Sequence, residues 1–175
     1  AADNSVLHIT DTAKVEADLD SVQSSLANCQ AYGIVAVGGN KAVATSETVV
    51  QAYLADGVSA TGGDFTITAD GTVNDVARAV SGTGGVVGVS ASETYVNSTN
   101  TTLASVGGKG SGSGIDVDSL TVSASHEALF NGSADSSSGG VIDAAGAKID
   151  NTVTTNVVTL IGENADISAH QLDLN

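Results

Sequence analysis

One sequence pattern returns along the chain at intervals of just over fifty positions, and it constrains the fold more than any single residue does. The pattern is a short line of alternating apolar and polar residues. Its central apolar residues are separated by 58, 55 and 52 positions, and they are Ile9, Ile67, Val122 and Leu174. Repeated units of this kind stack into a solenoid, because no single unit can bury its own apolar face.

A second marker keeps nearly the same spacing. It is a glycine followed by an apolar run, and it occurs at positions 33–37, 85–89 and 140–144. Further along each repeat, a second apolar stretch closes on a glycine, at positions 57, 107 and 162. Two independent markers with a common period indicate a repeat architecture rather than one central core.

Alternation within the repeats predicts strands. In Phe65–Ala69 the apolar residues and the threonines occupy opposite faces of an extended chain, and Val117–Val122 follows the same pattern. The segments 12–22 and 72–80 fit a helix or a strand by spacing alone. Their position inside a repeat favours strand, so we expect an all-β chain.

The repeat length suggests how the chain winds. About 55 residues is long for a single coil, so we predict three coils of roughly 18 residues per repeat, or about nine layers over ~40 Å. Val, Ile, Leu and Ala would form the interior, and Thr, Ser, Asn and Asp the rim. The expected fold is a right-handed parallel β-helix. It forms one domain over 1–175, with repeats at approximately 5–62, 63–117 and 118–170 and the start of another at 171–175.

Charge excludes several partners. The chain has 20 acidic and 5 basic residues and a formal net charge of −15. Nucleic-acid binding needs a cationic stripe, which this composition cannot supply. We expect no membrane insertion, since an anionic membrane surface repels the chain and no run of 18 apolar residues is present. Calcium remains a candidate ligand of the acidic residues, and we expect no other cofactor.

The main rival to a structural role is a carbohydrate-active β-helix enzyme, a polysaccharide lyase or hydrolase. Such enzymes need clustered carboxylates and a basic residue. The candidates are Asp64, Asp116 and Asp118 with Arg78, the only arginine. They would form a site only if all four met in one groove, and the three tyrosines are too scattered for a sugar platform. We therefore expect no catalytic residues.

Other reactive residues carry weaker signals. His8, His126 and His170 flank strands in broadly similar positions, but a metal site would require them to converge across repeats. Cys29 has no adjacent base in the sequence and is expected to be a small core residue. The glycine-rich segment 107–114 lacks the Gly-Lys-Ser/Thr order of a phosphate-binding loop and is expected to be a surface turn.

Polar motifs mark the expected rim. Scattered threonines suggest an ice-binding face, but no regular Thr-x-Thr recurs at each coil. Three glycosylation-acceptor triplets, expected in exposed turns, stand at 97–99, 100–102 and 131–133.

The residue pattern of the repeats resembles that of large filamentous adhesins of Gram-negative bacteria, especially the leukotoxin-type, hemagglutinin-like branch. The matching segments are Phe65–Ala69, Gly84–Val89 and Thr94–Gly107. The resemblance implies a right-handed parallel β-helix, secretion, and an extracellular or cell-surface location, and it carries over no catalytic residues. This chain is much shorter than those adhesins.

The sequence therefore predicts a structural or adhesive module of a bacterial surface adhesin or extracellular filament. Both ends of a solenoid expose unpaired strand edges, so we expect self-association end to end. A receptor or glycan on a host or neighbouring cell is the other expected partner, and the sequence does not identify it.

Overall fold

The structure is a computed structural model, and it describes residues 5–107, 114–163 and 165–175. Nearly all of these residues lie in β-strands that run parallel in one open sheet. The strands within these ranges are β1 (Ser5–Leu54), β2 (Val58–Val106), β3 (Gly114–Gly139), β4 (Ile142–Ile161) and β5 (Asp166–Leu174). The prediction of an all-β chain is confirmed, and the ambiguous segments 12–22 and 72–80 are strand.

Neighbouring strands pair at a distance of one full sequence repeat. Val35 pairs with Val87, and Val87 pairs with Ile142, so each turn of the chain uses one whole repeat. Each repeat therefore forms one rung of a stack, and the predicted division of a repeat into three short coils is wrong. The rungs begin at positions 5, 58, 114 and 166. At about 4.8 Å per layer, these four layers rise ~14 Å instead of the predicted ~40 Å.

Each rung folds back on itself, since a straight strand of 50 residues would be about 165 Å long. Asn40 Nδ2 donates a hydrogen bond to the Ala27 carbonyl at 3.0 Å, and Ser92 Oγ donates to Ser81 Oγ at 2.8 Å. A rung thus has an outgoing arm, a tip and a return arm, which in the second rung are residues 58–84, 85–87 and 88–106. The glycines at 82, 84 and 85 lie where the rung turns back.

The first repeat enters the stack in a different alignment from the one suggested by the sequence. Val15, not Ile9, pairs with Ile67. The two later residues of the repeated pattern pair as expected, Val122 with Ile67 and Leu174 with Val122. Ile9 pairs with Gly62, and the register shifts immediately afterwards. Gly62 has a φ of 111°, and a side chain there would collide with the Ile9 carbonyl, so this corner of the rung requires glycine.

The apolar core lies at the base of the rungs, away from the tip. Phe65, Ile67, Leu120 and Val122 are fully buried there. A second, smaller cluster nearer the tip consists mostly of alanine, and its buried members are Ala42, Ala44, Ala77, Ala79 and Val96. Small side chains let the two arms approach each other, and they explain how the chain packs with so few aromatic residues.

A polar band of buried side chains lies between these two clusters. Asp75 Oδ2 accepts a hydrogen bond from Ser46 Oγ at 2.6 Å, and Ser46 Oγ lies 2.8 Å from Ser98 Oγ. Asn100 donates to Ser98 Oγ at 3.0 Å and accepts from Thr48 Oγ1 at 2.8 Å. All five side chains are buried. The prediction of a wholly aliphatic interior is therefore wrong, because neighbouring rungs and facing arms supply hydrogen-bond partners to each other.

Candidate functional site

The structure separates the residues proposed for carbohydrate chemistry. Asp116 and Asp118 are exposed at the start of β3, and Asp64 lies beside them, paired with Ser119. Arg78 stands much further along the same arm, at a distance of about 45 Å of extended strand from Asp64. The four side chains do not meet in one groove.

A shallow depression at the base of the stack does bring two carboxylates together. Asp116 and Asp166 line it with Ser59, Thr61 and Ser168, and its volume is about 320 Å³. Asp166 was not a candidate in the sequence, because nothing in its own segment distinguishes it. Strand pairing places Asp166 there: in the register of β3 with β5 it pairs with Gly114, two residues before Asp116.

The three histidines lie in three different settings. His8 Nδ1 is 2.9 Å from Thr61 Oγ1, and His170 Nδ1 is 3.7 Å from a carboxylate oxygen of Asp118. His126 points into the stack, where its Nδ1 is 3.0 Å from Thr102 Oγ1 and burial lowers the pKa of its imidazole below 6.5. Within the described ranges, no three His, Cys, Asp or Glu side chains form a group suited to a metal ion.

Cys29 occupies an interior position and is only partly exposed. Its thiol is free, and its Sγ faces Gly38 on the return arm, 3.6 Å from where a side chain on that glycine would begin. The geometry agrees with the expected role as a small packing residue.

A cationic and aromatic cluster on the outer face of the return arms was not recognised in the sequence. Lys41 Nζ lies 4.2 Å from the centre of the Tyr95 ring, and Lys148 Nζ lies 4.8 Å from it. Lys148 also donates a hydrogen bond to the Tyr95 hydroxyl at 3.0 Å, and this bond raises the pKa of the ammonium group above 10.5. Glu93 separates the two lysines in their column. The cluster ties three rungs together.

A hydroxyl cluster lies inside the stack near the tip. Ser92 Oγ donates to Ser81 Oγ at 2.8 Å, and Ser81 Oγ to Ser136 Oγ at 3.1 Å. Ser90 Oγ is 2.6 Å from the same Ser136 oxygen. No histidine, lysine or carboxylate takes part in these bonds, so the cluster joins facing arms without a base that could activate a hydroxyl.

The acceptor triplets are not in turns. Residues 97–102 lie inside β2 and residues 131–133 inside β3. Asn100 points inward and is only 1% exposed, whereas Asn97 points outward. The expectation of exposed turns is wrong because these polar residues continue the strands. Of the glycine-rich segment 107–114, positions 108–113 lie outside the described residues.

Open strand edges are the most extensive feature available for interaction. Among the described strands, β1 pairs only with β2, and β4 also pairs only with β2. The far side of each therefore presents backbone N–H and C=O groups without a strand partner. Phe130 takes the interior position of Asp75 one rung later, yet it is 50% exposed because no described strand covers it.

Comparisons with protein-family models, with curated proteins and with solved structures find no match to this chain. The described residues include no helix long and apolar enough to cross a membrane.

Proposed function

We propose that this chain is a structural and adhesive β-solenoid module of a bacterial cell-surface adhesin or extracellular filament. The open strand edges on the two sides of the rung stack carry this proposal, because each can template another rung or another copy of the chain. The rungs wind right-handed, the hand that parallel crossovers almost always take.

The outer faces support the adhesive part of the proposal. Thr66 and Thr121 stack outward on the outgoing arms, and Thr99 and Thr154 do so on the return arms. Such ladders offer hydroxyl groups at the strand spacing to a receptor or glycan on another cell. The acidic surface and the single free thiol are compatible with an extracellular location.

Lysine substitutions at two adjacent, equally exposed residues test end-to-end association. Phe130 and Leu129 are each 50% exposed, but Phe130 points towards the interior that a further rung would cover, whereas Leu129 points outward. A buried lysine at an interface is costly. We expect Phe130→Lys to abolish assembly while Leu129→Lys leaves it intact.

The assay is light scattering over a concentration series, with electron microscopy of the same samples. Wild type and Leu129→Lys should lengthen into rods with increasing concentration, and Phe130→Lys should stay short. Equal behaviour of the two variants, or a wild-type chain that stays short at high concentration, would contradict the proposal.

The carbohydrate-active alternative has one supporting observation, the depression that holds Asp116 and Asp166. Turnover of acidic polysaccharides, measured with and without Ca²⁺, tests it. Activity that Asp116→Asn removes would replace the structural proposal, and no turnover under either condition would end the alternative.

A further inference from the structure

The tip of the rung stack carries an exposed apolar ridge. We call it the tip ridge, and it consists of the large apolar side chains exposed within residues 32–37, 86–89 and 141–142. There are eight of them, between 42% and 85% exposed. The ridge crosses the first three rungs, because Val35, Val87 and Ile142 stand in one column of the sheet.

Glycines explain why these side chains face outward. A side chain on Gly85 would collide with the Gly33 carbonyl, and one on Gly140 would begin 2.7 Å from the Gly85 carbonyl. The backbones of successive rungs therefore meet closely on the inside of the turn. The neighbouring valines and isoleucines have no interior space left and point to solvent.

The tip ridge is also free of charge. Residues 21–40, 79–92 and 136–142 contain no Asp, Glu, Lys or Arg, although the whole chain has 20 acidic residues and a net charge of −15. Acidic side chains are spread over the rest of the surface, so two copies of the chain repel each other in most orientations. The tip is the region where two copies can touch with the fewest carboxylates nearby, and Asp143, directly after Ile142, is the first acidic residue past the ridge in the third rung.

The size of the ridge fits such a contact. Taking on the order of 150 Å² for a fully exposed large apolar residue, the eight side chains present about 800 Å². The largest apolar patch of a soluble monomer is usually about 300–600 Å². A standard protein–protein interface covers about 800 Å² on each partner.

We propose that the tip ridge joins two copies of this chain side by side, tip against tip. A twofold axis through the middle rung lets each ridge cover the other, with the first rung of one copy against the third rung of its partner. The contact is lateral and uses side chains at the tip, not the backbone groups of the open strand edges, so it is tested separately from the end-to-end association proposed above.

Cysteine trapping tests the geometry. In a Cys29→Ser background, Val86→Cys places a thiol on the middle rung, where the twofold axis brings it beside its counterpart. Val49→Cys is the matched control, since Val49 is 61% exposed on the outer face of the return arm. Under mild oxidation we expect a covalent dimer through position 86 and almost none through position 49.

Sedimentation measures the strength of the contact. The ridge variant combines three changes, Ile34→Asn, Val86→Asn and Val141→Asn. The control combines three outward apolar residues that are 61–72% exposed elsewhere on the arms, Val22→Asn, Leu26→Asn and Val49→Asn. We expect the ridge variant to weaken the dimer at least about tenfold, and the control to change it less than about twofold.

A third variant separates the two modes of association. Phe130→Lys, which blocks end-to-end growth, should still form the lateral dimer with unchanged affinity. A chain without lateral dimers, equal weakening by the ridge and control variants, or trapping at position 49 as efficient as at 86 would overturn the proposal. So would a chain that is monomeric in solution and floats with phosphatidylcholine vesicles, because the ridge would then bind a lipid surface.

Discussion

A methyl group at Gly71 tests the register on which the fold depends. Gly71 lies directly beneath His126, its partner one rung later. A side chain at position 71 would overlap the Nδ1 atom of that imidazole, and it would begin 2.9 Å from the Cε1 atom and 3.2 Å from Thr102 Oγ1. The ring could not stay where it is.

The expected effect of Gly71→Ala is a loss of about 1–3 kcal/mol in the free energy of unfolding, the usual cost of overpacking a fitted interior. Gly146→Ala is the matched control, because a side chain there meets nothing within 4 Å. Replacing an unhindered glycine by alanine stabilises a protein by about 0.4–1 kcal/mol. The two substitutions are chemically identical, so their opposite signs isolate the contact.

Guanidinium denaturation of both variants measures the difference, provided that the slope with denaturant is unchanged. A second pair, made in a His126→Ala background, completes a double-mutant cycle. Without the imidazole, Gly71→Ala should lose most of its penalty. Equal stability of the two alanine variants, or a penalty that persists without the imidazole, would refute the pairing of these rungs.

Three further predictions concern buried and stacked polar groups. Asp75→Asn should raise the free energy of unfolding by about 1–3 kcal/mol in a denaturant titration, because the buried carboxylate has one hydrogen bond and its Oδ1 has no partner; Asp18→Asn, at an exposed position, should change it little. Burial lowers the pKa of His126, so the unfolded chain binds the proton more readily and stability should fall as pH drops below 6.5. His126→Gln should reduce this acid dependence, and an unchanged slope of midpoint against pH would contradict the assignment. Tyr95→Ala should destabilise the stack more than Tyr53→Ala in thermal melts, since only the first ring contacts two lysines; equal losses would remove the cluster as a stabilising feature.

The repeat and its period could be predicted from the sequence, because glycine and apolar runs recur wherever the rung turns. The column of Val35, Val87 and Ile142 was found in this way. The number of coils could not be predicted. Alternation specifies which face of a strand is buried, but it is the same whether the chain turns after a short coil or only after a whole repeat.

The polar interior could not be predicted for a different reason. Ser46 is a buried residue only because Asp75 and Ser98 complete its hydrogen bonds, and both lie far from it in the sequence. The depression with Asp116 and Asp166 has the same origin, since strand register alone brings them together. Such sites arise from pairing between rungs, which local sequence does not encode.

The polar band also fixes how the two arms of the stack are aligned, which the apolar clusters alone do not. Moving the return arm by one residue would turn its buried face to solvent, so apolar burial forbids that slip. Moving it by two residues would keep every buried face buried, and alanines and valines would tolerate the change. The bond from Ser46 on a return arm to Asp75 on an outgoing arm would then be broken, leaving the buried carboxylate without its hydrogen bond at a cost of about 1–3 kcal/mol. This hydrogen bond between the arms therefore selects one alignment among several that hydrophobic burial alone would accept.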